Sequence, residues 1–145
     1  MADTIILTQL LSVIQIIVGI VVASTFYFTI RTFRQTNKAE QIKLADNFQL
    51  AILEYEQETA ELKRNNTFEQ ERKYWEYRLF NRVEWYSFLV NKKHIRDRDI
   101  IKYFRDYITE VYEKILNLPM YESDKNNSKR LHEFKVLYRK LSGRK

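Results

Sequence analysis

From Ile5 to Ile30 the chain carries no charged side chain, and isoleucine, valine and leucine fill most of those positions. At the helical rise the run is about 39 Å long, more than the ~30 Å hydrocarbon core of a bilayer requires. Phe26, Tyr27 and Phe28 stand near its C-terminal end, where aromatic rings collect at a membrane interface. The remaining chain is too short to wrap a helix that is apolar all round. A cleaved signal peptide would have a basic start and an apolar core about half as long. Residues 1–30 therefore read as an uncleaved membrane anchor.

Within this run Thr8, Ser12, Gln15, Gly19 and Ala23 recur at steps of three and four, along one helical stripe. Gly19 and Ala23 form a small-xxx-small pair, and Gln15 offers a hydrogen bond across a helix–helix interface. Ser12, Gln15, Gly19 and Ala23 are the expected contact with a second membrane helix, from another copy or a different subunit. Arg31, Arg34, Lys38 and Lys43 follow the run, and no lysine or arginine precedes it. The positive-inside rule then places the N-terminus outside the cell and the domain after Arg31 in the cytoplasm.

Beyond the anchor the apolar positions keep a helical period. Ile42, Ala45, Phe48, Ile52, Tyr55, Thr59 and Leu62 alternate between steps of three and four, a weak coiled-coil seam on a stalk helix over residues 31–64. Asn65-Asn66 interrupts it, and Thr67-x-x-Gln70 has the form of a capping box. Phe68, Trp75, Leu79, Val83, Tyr86 and Val90 give the next helix its apolar face, which Phe80 and Phe88 widen. Asp97 or Asp99 is placed to cap a third helix ending near Asn117 and Pro119. Ser128 is placed to cap a fourth, with stripe residues Leu131, Phe134, Tyr138 and Leu141 and a stop at Gly143. The expected fold is all-α: a transmembrane helix continuing into a stalk helix, then a bundle of about three helices over residues 65–145.

Composition sharpens this picture. Two glycines and one proline are too few for a turn-rich β or α/β domain. The absence of cysteine excludes disulfides, thiolate metal sites and cysteine nucleophiles. The net charge is +6, and residues 121–145 hold eight basic and three acidic side chains. Lys129, Arg130, Lys135, Arg139, Lys140, Arg144 and Lys145 form the expected basic surface, suited to nucleic acid or an anionic lipid surface.

Catalytic patterns are missing. His132-Glu133 is not completed to H-E-x-x-H, because residue 136 is Val136. Asp97-x-Asp99 is flanked by Arg96, Arg98 and Arg105 and reads as ion pairs or a helix cap rather than a cation site. Two distant glycines exclude a glycine-rich phosphate loop. The aromatic residues, interleaved with basic ones at Arg72-Lys73-Tyr74-Trp75, fit a small core better than a base-stacking platform. No enzyme, metal, cofactor or small-molecule substrate is expected.

The segments 14–34, 35–50 and 80–116, the last opening with Phe80-Asn81-Arg82-Val83-Glu84-Trp85-Tyr86, resemble a loosely defined family of uncharacterised single-span membrane-anchored proteins of archaea and bacteria. The resemblance implies an N-terminal span, a stalk and a small helical cytoplasmic domain, with no implied activity. The expected role is that of an interaction or accessory protein that binds a protein partner or stabilises a membrane complex.

Overall fold

A computed structural model describes the backbone from Ala2 to Gly143 and side chains from Ile14 onward. Every regular element among the described residues is helical, as the turn-poor composition requires. They are α1 (Ala2–Arg64), α2 (Phe68–Asn91), α3 (Arg98–Glu110), α4 (Glu122–Asn126) and α5 (His132–Ser142). A π turn, Val111–Leu116, extends α3, and a 3-10 turn, Pro119–Tyr121, leads into α4.

The chain divides into two units, Met1–Ala39 and Glu40–Lys145. The first is the N-terminal part of α1. Its described side chains from Ile14 to Ala39 are all exposed, including Ile16, Val22, Phe26 and Phe33. One helix here is long and apolar enough to cross a membrane.

The second unit holds the core, and its boundary differs from the sequence expectation. The stalk was expected to end at Arg64, yet Ala45, Phe48 and Ile52 are buried with the bundle. The 3–4 seam of α1 thus finds its partner within its own domain rather than in a coiled coil. Phe48 stacks on Tyr86 of α2, with ring centroids 4.3 Å apart, and meets Phe104 of α3 edge-on at 5.0 Å. Ile42 of the expected seam is exposed, while Gln41 is buried, its Oε1 accepting the backbone N–H groups of Arg96 and Asp97.

Leu79, Phe80, Val83 and Tyr86 give α2 a fully buried face at helical spacing. Against it lie Phe134 and Leu137 of α5, and Tyr112 stacks on Tyr138 at 3.7 Å. Burying such rings is worth roughly 1.5–3 kcal/mol each, which lets a small domain hold together.

The helix ends show which local signals operate. Asn66, at φ 57°, takes the left-handed turn that closes α1. The Thr67–Gln70 capping box does not form; no side-chain cap bond is made, and Thr67 Oγ1 turns back toward the Leu62 carbonyl. Asp97 does cap α3, accepting from the Asp99 N–H at 2.9 Å. Gly143 ends α5 at φ 68°. Ser128 is not the cap of α5, whose N-cap position is Leu131. Residue Leu131, at φ 51°, precedes α5, whose first free N–H groups, on Glu133 and Phe134, are accepted by the Glu84 carboxylate at 3.1 and 2.7 Å. The cap reaches across from α2 because the chain turns too sharply at Leu131 for a local one. Glu84→Ala should therefore lower the urea midpoint by an amount equivalent to about 1–2 kcal/mol, with the exposed Glu58→Ala variant as control.

Candidate functional site: a helix-lined groove

Between α1 and α2 of the second unit lies an open groove of about 390 Å3. Leu44, Phe48 and Ala51 line it from α1, and Trp85, Tyr86 and Leu89 from α2. Apolar positions sit there because α1 turns its Phe48 side to the core and leaves the flank of that side, Leu44 and Ala51, only half covered. Trp85 is 57 % exposed and Leu50, on the rim, 64 %. The Trp85 ring is backed by Phe88, stacked at 5.4 Å, which is stacked in turn on His94 at 6.1 Å. That backing holds the indole upright at little further entropic cost.

The rim is polar. Glu54 accepts from Arg78 at 2.8 Å, and Arg78 also lies 4.7 Å over the Trp75 ring. Arg82 lines the groove and pairs with no carboxylate among the described residues. Below, the Tyr86 hydroxyl is buried without a hydrogen-bond partner. Burial pushes this phenol well above the ordinary tyrosine value. Tyr86→Phe should accordingly hold or raise stability, by up to about 1 kcal/mol, in a urea titration.

A second polar cluster ties residues 119–131 to α2. Glu76, 2 % exposed, accepts from the Tyr121 hydroxyl at 2.5 Å and from Arg72 Nε at 3.0 Å. Asp124, equally buried, accepts from the Tyr77 hydroxyl at 2.6 Å and from Arg130. Lys135 donates to the carbonyl oxygens of Asp124, Asn127 and Arg130, at 2.7–2.8 Å. Desolvation holds its ammonium below the ordinary lysine value. Each charged group of this cluster faces a partner, and together these bonds tie residues 119–131 to α2.

The expected site residues fall as follows. Gln15, Gly19 and Ala23 lie exposed on the first unit, and the Ser12 side chain lies outside the described residues. Arg31, Arg34, Lys38 and Lys43 are exposed. The basic surface is smaller than expected. Lys135 is buried under the loop it organises and is not part of it. Arg130 is engaged with Asp124 and the Tyr77 ring, and Lys140 donates to Asn91 at 2.7 Å. Lys129 and Arg139 are exposed, and Arg144 and Lys145 lie outside the described residues. Sequence reasoning missed the groove; its one available signal was Trp85, a large ring off the apolar face of α2. Compared with protein-family models, with curated proteins and with solved structures, the chain matches none.

Proposed function

We propose that this chain is a single-span membrane protein whose helical domain lies in the cytoplasm and binds a protein partner through the α1–α2 groove. The observation that carries the reading is the groove itself: an exposed, ring-backed tryptophan beside half-covered aliphatic residues and an unpaired arginine. Such aromatic and arginine side chains supply most of the energy of protein–protein contacts. The charge-free run from Ile5 to Ile30 supports the anchor, and Arg31, Arg34, Lys38 and Lys43 support the cytoplasmic side. Nothing in the groove calls for catalysis, and the reading is of a non-enzyme.

A photo-crosslinking residue in place of Trp85 in the full chain, in living cells, tests the groove. A discrete adduct with one protein is expected, lost when Arg82→Glu is added; adducts with lipid alone, or none, would sink the reading. The orientation has its own check. A reporter fused after Lys145 should be active only if it needs the cytoplasm, and an externally active one overturns the cytoplasmic placement. Binding of nucleic acid or anionic lipid by the C-terminal basic residues is the second reading. The burial of Lys135 and the pairing of Arg130 weigh against it. Affinity falling steeply with salt would restore it.

A further inference from the structure

Past Ile14, the exposed part of α1 has one side with a shape of its own. Thr25, Thr29, Thr32 and Thr36 recur at steps of 4, 3 and 4, the a/d positions of a heptad. They form the floor of a shallow groove whose walls are Phe28 and Phe33. The two rings are 60 % and 70 % exposed, and Phe33 stands beyond the uncharged run, between Thr32 and Arg34. Thr25 Oγ1 donates to the Val21 carbonyl, Thr29 Oγ1 to that of Thr25 and Thr36 Oγ1 to that of Thr32, at 2.8, 2.8 and 3.0 Å. With these protons satisfied inside the helix, Thr25, Thr29 and Thr36 can be covered by apolar surface without stranding a donor.

The distribution of charge says what covers this side. Arg31, Arg34 and Lys38 all fall on the opposite face, at c and f positions, and no charged residue occupies a, d, e or g between Thr25 and Thr36. Two copies related by a two-fold axis bring each seam residue against its own counterpart, so one cation there would meet a like charge. Phe28 and Phe33 take g and e positions five residues apart. That is the spacing at which a g residue of one helix meets an e residue of a parallel partner in register. Two copies of a single-span protein inserted the same way share direction and depth, so parallel and in-register pairing follows from the topology.

We infer that the occupant of this face is a second copy of the chain, paired in parallel through Thr25, Thr29, Thr32 and Thr36 with Phe28 against the partner's Phe33. The inference rests on the single-span reading and names a partner that the groove between α1 and α2 does not. The contact lies about a third of a turn round the helix from the Gln15, Gly19 and Ala23 stripe, leaving that stripe for a different neighbour.

The chain has no cysteine, so single cysteines report pairing without background. Membranes holding the full chain with Thr25→Cys, Thr29→Cys, Thr32→Cys or Thr36→Cys are oxidised and run without reductant, beside Arg31→Cys, Arg34→Cys and Lys38→Cys. All variants are first checked for insertion by resistance to alkaline extraction. A covalent dimer at twice the monomer mass is expected from the threonine series and its loss from the basic series. Equal crosslinking at both faces, crosslinking at Gly19→Cys and Ala23→Cys alone, or monomer throughout overturns the pairing. The Trp85 adduct is read separately. An adduct without threonine crosslinks refutes the dimer and keeps the groove, and the converse refutes the groove alone.

Discussion

Replacing Glu76 with alanine is expected to lower the stability of the helical domain by about 3–5 kcal/mol, enough to unfold much of a marginal domain. The carboxylate sits on the inward side of α2 with a side-chain exposure of 3 %, and Arg72 and Tyr121 converge on its two oxygens. Removing it strands the Tyr121 hydroxyl, whose residue is 0 % exposed, and leaves the Arg72 guanidinium without its buried anchor. A buried group that loses one partner suffers its full desolvation cost, whereas removing both partners together is far milder. Glu76→Leu combined with Tyr121→Phe should therefore recover most of the loss, and Glu76→Leu alone should not. Urea midpoints of the wild type, the two single variants and the double variant give the coupling directly. If Glu76→Ala behaves like Glu58→Ala at an exposed position, the cluster contributes nothing to holding residues 119–131 on α2.

The same residues mark the limit of what the sequence discloses. The face of α2 was readable because Leu79, Val83 and Tyr86 keep a 3–4 spacing that only a one-sided core produces. The Asp97 cap and the Gly143 stop were readable because both act within three residues of themselves. The α1 seam was readable as a seam but not by partner, since Ala45, Phe48 and Ile52 look the same whether they face another chain or their own α2. Glu76, Asp124 and Lys135 were unreadable for a different reason. A charge within a helix defaults to solvent, and these three turn inward to contacts 5–47 residues away, at Arg130, Tyr77 and Tyr121, with Arg72 a nearer partner for Glu76 alone. The α5 cap from Glu84, 49 residues distant from Glu133, belongs to that class. So does the groove, because half-covered residues arise from how two helices cross rather than from either pattern.

Raising the pH should unfold the helical domain cooperatively between about pH 11 and 12, with the tyrosines as the cause. Burial pushes Tyr55 up to about 12 and pushes Tyr86, Tyr107 and Tyr121 above the ordinary value too; the bond to Glu76 adds to the rise at Tyr121. The fold thus keeps these phenols protonated where the unfolded chain, titrating near 10, releases them. A folded state that holds more protons loses stability as pH rises, by about 1.4 kcal/mol per pH unit for each such group. Tyr86 and Tyr121 are both fully buried, and at about pH 12 they alone remove roughly 5 kcal/mol, comparable with the whole stability of a small domain. Lys135 works the other way. Its pKa is lowered by desolvation, so between that value and the unfolded 10.5 it adds stability with rising pH. One lysine does not offset two or more tyrosines. Helical circular dichroism and tyrosinate absorbance, followed together on the full chain in detergent, should change in one step. Tyr86→Phe should shift that step to higher pH by removing one of the two fully buried phenols. Tyrosines that ionise gradually near pH 10 while the helices persist would show that Tyr86 and Tyr121 exchange with solvent, and that the core drawn around them is open.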